Sequence, residues 1–423
     1  MITATSCSTV RLRIDDSPAI TLTASTLTTR VVVANQHGDN RGDEAAMRGM
    51  VEQLSTRLSD AEITILHQFA DSNSAVAFDV PVEYLALKLP IFEGIRLAGF
   101  AFLESLRLPG DWLLGRRGRH IVDRYRSARL IISAPGGPYF GDLYADHEIV
   151  HWFYVWLGRV LGRPLFLYAP SVGPFDNVLL KPVRRRGFRW FDAIALRDGV
   201  SAEYLRSFMG DDFEFEVTAD SALQDMPLDS EWAPADDAVF RLAVAVRDPG
   251  ESFREGYDAA VVAAIDAVCK RLDTKVVFLP QLHGPRHRDQ PYLQSLAARV
   301  RGARSVHVES GDKIDSRDHR RIIARADLAI AGRYHPAVFS VAAATPVLVI
   351  PYEHKSLGVA RQAGIERWVI DHTEARADNL VPMIEEMMGN LDDIRQGLRT
   401  HQDEMRRAAL RTTDMAIAVA GEQ

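Results

Sequence analysis

Cysteine is nearly absent from this chain: 423 residues contain two, Cys7 and Cys269, far apart in the sequence. That excludes a disulfide framework and a cysteine-ligated metal centre, and it fits a reducing compartment. An excess of basic charge is lacking too. The formal net charge is −7, which argues against a nucleic-acid partner. No long apolar run is free of charge. Residues 1–28 are rich in Ser and Thr and are broken by Arg11, Arg13, Asp15 and Asp16, so the apolar centre of a signal peptide is missing. The most apolar stretch, 84–115, carries Lys88, Glu93, Arg96, Glu104 and Arg107 besides Pro90 and Pro109. Those residues rule out a simple spanning helix. A cytoplasmic protein is expected.

What is present is a soluble globular composition, 47% apolar and 25% charged, at a length that calls for two domains. Short runs rich in Val, Ile and Leu recur at 30–35, 62–67, 128–135, 163–171 and 192–198. They recur again at 240–248, 274–281, 305–310, 326–333 and 345–352. Continuous rather than alternating apolarity predicts strands buried on both faces, as in a parallel sheet. Helical patterns at 43–59, 143–162, 258–272 and 335–344 supply the crossovers. The expected fold class is α/β, two Rossmann-like doubly wound domains facing each other across a cleft. The divisions are an N-terminal extension (1–28), a first domain (29–225) with a helical insertion at 75–127, a linker (226–238), and a second domain (239–423) ending in helices.

In such sheets ligands sit beyond the carboxyl ends of the strands, so chemistry should concentrate just after each strand. After the first strand, Gly42 permits a tight turn and Asp43 stands at a helix start, as an N-cap or as a cleft residue. After the strand at 128–135, Gly136 and Gly137 let backbone N–H groups approach an anion or a sugar. Arg197 ends another strand, where a guanidinium can fork onto phosphate or carboxylate, and Asp220 occupies a similar place further on. The sharpest cluster is "GRYHPAVFSVAAATPVLVIPYEHKSLG" (332–358). It sets Arg333 and His335 two apart before a helix, with Lys355 after the next strand. Arg333 is a fixed cation, and His335 suits proton transfer near neutrality.

One motif points elsewhere. "HEIVH" (147–151) matches a zinc peptidase pattern, with His147 and His151 on one helical face and Glu148 to activate water. No third ligand follows at the usual spacing, so both histidines are expected at the surface or as caps, and no metal is expected.

Taken in order, "NQHGDNRGDEAA", "SAPGGPYFGD", "SVGPF", "ALRDGVSAEYL", "TADSAL", "FLPQLHG" and the 332–358 stretch resemble the polysaccharide pyruvyl transferase family over residues 30–370. The resemblance implies a fold like the B-type glycosyltransferases, with the first domain on the acceptor side and the second on the donor side. It also implies transfer of pyruvate from phosphoenolpyruvate onto two sugar hydroxyls as a cyclic ketal, without a cofactor. His335 would be catalytic. Arg333, Arg197 and Lys355 would bind the donor. Asp43, Gly42, Gly136, Gly137 and Asp220 would line the acceptor side or cleft. Tyr334 and Pro336 depart from the smaller or apolar residues of many relatives, and the insertion at 75–127 is long. Both bear on acceptor identity. A nucleotide-sugar glycosyltransferase is the alternative, and a zinc hydrolase using "HEIVH" a remote one.

Residues 84–120 hold an apolar set closed by "RRGRH" (116–120). The favoured expectation is a helical insertion packed on the first domain. The other is a surface touching the inner face of a membrane, with Arg116, Arg117 and Arg119 on anionic head groups beside a lipid-linked sugar acceptor.

Overall fold

The computed structural model describes residues 28–58, 60–68, 76, 78–137, 140–225, 239–284, 288–353 and 355–421. The linker at 226–238 and all but one residue of the extension at 1–28 lie outside the described residues.

Seven strands form the first sheet. They are β1 (Arg30–Gln36), β2 (Glu62–His67), β3 (Val82–Ala86), β4 (Leu130–Ser133), β5 (Leu165–Tyr168), β6 (Ala193–Leu196) and β7 (Glu216–Val217). Their order is β3-β2-β1-β4-β5-β6-β7, with every pairing parallel. The second sheet has β8 (Phe240–Ala245), β9 (Thr274–Phe278), β10 (Ser305–Val308), β11 (Leu328–Ala331) and β12 (Val347–Val349). Its order is β10-β9-β8-β11-β12, again parallel throughout. Each order reverses direction once, at β1/β4 and at β8/β11. Those are the switch points at which doubly wound sheets open a crevice.

The helices α1 (Arg41–Arg57), α2 (Ile91–Ser105), α3 (Arg116–Ser127), α4 (Ala145–Val160), α5 (Lys181–Phe188) and α6 (Gly199–Met209) serve the first sheet. Around the second are α7 (Arg254–Arg271), α8 (Gln290–Ala297), α9 (Ser316–Ala324), α10 (Tyr334–Ala342), α11 (Lys355–Gln362) and α12 (Ala377–Gly389). A final helix, α13 (Leu391–Gly421), joins the halves. Its start buries Ile394 and Leu398 in the core of the second sheet, while its end buries Ala416 and Val419 against the first. Both cores therefore hold one helix, which ties the two sheets together.

The strands form where apolar residues run unbroken. β4, β5, β11 and β12 are buried at every position, as strands covered on both faces must be. The insertion contributes β3, α2 and α3, and its Leu97, Phe100 and Ile121 join the core beneath the first sheet. Among the described residues no helix is long and apolar enough to cross a membrane.

Candidate active site

α1 begins one turn after β1 and faces the second sheet. Asn40 caps it by accepting from Gly42 N at 2.9 Å, so Asp43 is not the cap but lies inside the first turn. The next residues are charged and yet buried, because they dock on the other half. Glu44 accepts from Arg41 at 2.6 Å and from the Ser316 hydroxyl at 2.9 Å, and Arg48 reaches Asp315 at 3.2 Å. Backbone bonds run alongside, from Arg41 N to Gln281 O and from His283 N to Asp39 O, both 3.0 Å. The seam between the sheets is thus a fixed polar contact, and the candidate site lies in it.

His335 stands in the first turn of α10, 5% exposed. Its Nε2 is 3.8 Å from Asp220 Oδ2. Asp220 caps the short turn Ser221–Leu223 and takes a 2.7 Å bond from Arg197 Nη1. Arg197 Nε donates to the Ser171 hydroxyl at 2.8 Å, which in turn donates to Asp198 Oδ2 at 2.9 Å. The Arg197 guanidinium lies over the Tyr334 ring at 4.1 Å, and Lys355 Nζ is 6.0 Å from the same ring. Arg197 Nη2 and His335 Nε2 are buried and have no hydrogen-bond partner. An orphaned buried polar atom costs about 1–3 kcal/mol, and two of them lie in this part of the seam.

Gly42 brings α1 against the imidazole. A Cβ at this position would fall 1.7 Å from His335 Nδ1, so only glycine allows the approach. Asp43 follows directly, and burial raises its carboxyl to about 7 against the pull of Lys355 and Arg197, with Asp39 and Asp220 adding to the rise. Burial holds His335 down at about 3, with Asp220 opposing and Arg197 and Lys355 reinforcing the drop. Burial would push the Asp220 carboxyl up, but Arg197 and His335 outweigh it and keep it ionised. The site therefore offers a neutral imidazole, a carboxyl poised near neutrality and two cations.

His335, Arg197, Lys355, Asp43, Gly42 and Asp220 thus come together. Arg333 caps α10 but pairs with Asp289. Asp289 also accepts from Gln281 N at 3.1 Å and Leu282 N at 2.9 Å, so Arg333 is tied to the loop after β9. Gly136 and Gly137 follow β4 at its carboxyl end. There Gly136 O accepts from Ser171 N at 3.2 Å, which fixes the loop beside Ser171. Three members of the knot were missed: Ser171, Asp198 and Tyr334. Tyr334 had stood out as a departure from relatives, and that was the available signal, since an aromatic ring between two cations is a cation–π platform.

"HEIVH" resolves differently from its expectation. His151 is 1% exposed and neither capping nor at the surface. Its Nε2 meets His37 Nε2 at 3.1 Å, and the His37 ring lies 6.0 Å from His147. His147 is only half-buried. Desolvation, His151 and His147 hold His37 well below its ordinary value. Glu148 points away from these rings. It takes 2.7 and 2.8 Å bonds from the fully buried Arg184 and one of 3.0 Å from Trp152 Nε1. A carboxylate committed to an arginine cannot activate water beside the histidines. Among the described residues no group of three or more His, Cys, Asp or Glu is arranged to hold a metal ion.

Two parallel doubly wound sheets meeting in a polar seam have the architecture of the B-type glycosyltransferases. The family model for polysaccharide pyruvyl transferase matches residues 40–354, and the chain belongs to that family. It is 25% identical over 411 residues to the amylovoran biosynthesis protein AmsJ of Erwinia amylovora, covering 86% of this chain and 93% of that one. Among solved structures it is similar to sucrose-phosphate synthase from Thermosynechococcus elongatus, with TM-score 0.57 and 12% identity over 93% of this chain and 100% of that one. It is likewise similar to a UDP-GlcNAc 2-epimerase from Neisseria meningitidis bound to UDP-GlcNAc, with TM-score 0.57 and 10% identity over 93% and 100%. At those identities the likeness is one of fold.

Proposed function

We propose that this enzyme moves pyruvate from phosphoenolpyruvate onto two hydroxyls of a sugar in a polysaccharide or glycolipid precursor, forming a cyclic ketal. The observation that carries the proposal is the buried knot of Arg197, Lys355, Asp220 and His335, with Arg197 Nη2 and His335 Nε2 left without partners. Phosphoenolpyruvate brings a phosphate and a carboxylate, and it needs at least two cations. Arg197, whose Nη2 is unpartnered, and Lys355, which pairs with Glu353 at 2.8 Å, supply them, and Arg333 joins if its bond to Asp289 is exchanged for one to the donor. A relative's name ties it to amylovoran biosynthesis, which supports a precursor of a long glycan as the acceptor.

The balance of atoms is simple. A proton adds to the methylene carbon of the donor, leaving positive charge at C2, and one sugar hydroxyl adds there. The C2–O bond to phosphate breaks, and the second hydroxyl closes the ring. Two hydroxyl protons are released; one replaces that given to the methylene and the other leaves with phosphate. No cofactor enters. His335 is neutral in the free enzyme, and the charge of a bound donor raises its proton affinity, so it takes up and delivers the methylene proton. Asp43, near 7, accepts a hydroxyl proton. Acceptor-dependent phosphate release, followed by carbon NMR of the product, tests the reaction. A ketal carbon with equimolar phosphate is expected; phosphate release without a ketal would contradict it.

The alternative is a nucleotide-sugar glycosyltransferase, supported by a neighbour of the same fold that holds UDP-GlcNAc. It would bind a nucleoside diphosphate and ignore phosphoenolpyruvate. A lipid-linked acceptor would bring the enzyme to the inner face of the membrane, with residues 84–120 in contact.

A further inference from the structure

The insertion is apolar on two sides, and only one of them packs. Leu97, Phe100 and Ala101 of α2 are buried in the core. Ile91, Ile95 and Phe102 are exposed, at four- and seven-residue steps that place them on one outward stripe. Phe92 beside them is 78% exposed and Trp112, in the following turn, 72%. A stripe of large apolar side chains facing water is a contact surface awaiting a partner.

The charge around the stripe selects that partner. At the carboxyl end of α2 a cavity of about 430 Å³ is lined by Arg107, Arg159, Arg186 and Arg189, with Trp156 and Trp190 in its walls. Glu104 also lines it, but its carboxylate faces Arg126 at 3.6 Å. None of the four cavity arginines has an ion pair among the described residues. Arg107 closes α2 with φ 60°, a left-handed conformation in which glycine is the easier choice. At the amino end of α2, Arg116 and Arg117 begin α3, where Arg117 N donates to Glu93 at 3.1 Å. Arginines thus stand at both ends of the stripe, on a chain whose net charge is −7.

We propose that this flank of the first sheet docks on an anionic bilayer. The α2 stripe enters the boundary between head groups and acyl chains, Trp156 and Trp190 lie at the interface, and the arginine cavity seats a phospholipid phosphate. A second copy of the chain fits poorly, because a two-fold contact would set the same arginines against each other. In a parallel sheet α2 and α4 start at the carboxyl ends of β3 and β4, beside the cleft, and run back along the flank. A docked bilayer would therefore lie along this flank, with the amino ends of α2 and α4 at its edge nearest the cleft, where an acceptor held on a lipid must arrive. This deepens the proposed acceptor class but is measured without turnover.

The experiment is flotation of the purified full chain with vesicles of phosphatidylglycerol and phosphatidylcholine, against phosphatidylcholine alone. Wild type should float with the anionic vesicles, and raised salt should weaken it. Reversing Arg186 and Arg189 to Glu should lower binding by roughly tenfold or more. Changing Ile95 and Phe102 to Glu should do the same without altering the melting curve, since both side chains are exposed. Arg116→Glu with Arg117→Glu should give a smaller loss. The proposal is overturned by equal binding to neutral vesicles, by no binding at low salt, or by indifference to both sets of changes. It is also overturned if wild type is a dimer that the Ile95 and Phe102 changes split, since the stripe then covers a second copy. Failure of pyruvyl transfer would leave flotation intact, so the two proposals fail separately.

Discussion

Two groups of histidine lie at the carboxyl ends of these sheets, and they differ in company. His335 is surrounded by Asp220, Arg197 and Lys355 in the seam between the halves. His37, His147 and His151 lie in the first half and face chiefly one another, with Phe140 against His151. Burial keeps both His335 and His37 neutral. Yet the first group carries cations for an anionic ligand and a carboxylate to hold an imidazolium once formed. The second lies beside Lys88, and among the described residues no carboxylate is among the charges that shift His37 as Asp220 is for His335, an arrangement in which hydrogen bonds to sugar hydroxyls are the expected role. On the proposed reading, charge in the surroundings, rather than the histidine itself, separates a chemical role from a positioning one.

The comparison breaks most plainly through mutation. His335→Asn should lower kcat by roughly 10²–10⁴-fold, whereas His147→Asn should leave kcat within a few-fold and move only the acceptor KM. Equal losses at both positions in steady-state phosphate release would erase the distinction.

Arg197→Ala should come next. It strands the buried Asp220 carboxylate, and breaking such a pair typically costs about 3–5 kcal/mol. Urea unfolding should show that loss, and the donor KM should rise. The Ser171→Ala variant removes the bonds to both Arg197 and Asp198 but leaves the Arg197–Asp220 pair, so its loss should be smaller, about 2–3 kcal/mol.

Asp43 sharpens the contrast through pH. Its folded carboxyl titrates at about 7, above its unfolded value. Stability from the neutral form is complete below that unfolded value and is lost as pH rises through 7. Asp43→Asn should therefore raise Tm at pH 8 while removing the alkaline rise of kcat/KM through pH 7. A variant that keeps that rise would show that another group is the base. The buried histidines act in the opposite sense. Burial holds His335 and His319 at about 3 and His283 at about 4, below an unfolded value of about 6.5. Between those values the unfolded chain binds protons that the folded chain refuses, so stability is full above about pH 6.5 and falls as the pH drops. Thermal melts at pH 7 and pH 5 should differ accordingly, and His319→Gln should narrow the gap.

Much of this was legible in the sequence because buried parallel strands announce themselves. All ten apolar runs became strands, from Arg30–Gln36 to Val347–Val349. The two strands not foreseen are informative. Val82–Ala86 is half-buried at every residue, and Glu216–Val217 is two exposed residues at a sheet edge; neither needs an apolar run. Arg197, His335 and Lys355 were legible because each follows an apolar strand, whereas Asp220 follows the unforeseen Glu216–Val217 and stood out only as an acidic residue in the loop after a helix. The elevated Asp43 carboxyl was not legible, since it depends on docking α1 against the other half. Nor was the burial of His151, which needs His37 from a distant loop, or the turn of Glu148 toward Arg184. Contacts between remote segments leave no local pattern. The packed helical insertion expected at 84–120 is present, with Leu97 and Phe100 in the core, while Ile91 and Phe92 stand in water.

If the seam around Arg197 and His335 takes phosphoenolpyruvate, that ligand stabilises the folded state. Thermal-shift titration tests it directly, because a ligand that binds only the folded state raises Tm with its concentration. Phosphoenolpyruvate should raise Tm of the wild type in a saturable manner and leave Arg197→Ala unmoved, while UDP-sugars should produce no shift. A saturable shift with a nucleotide sugar and none with phosphoenolpyruvate would contradict the account.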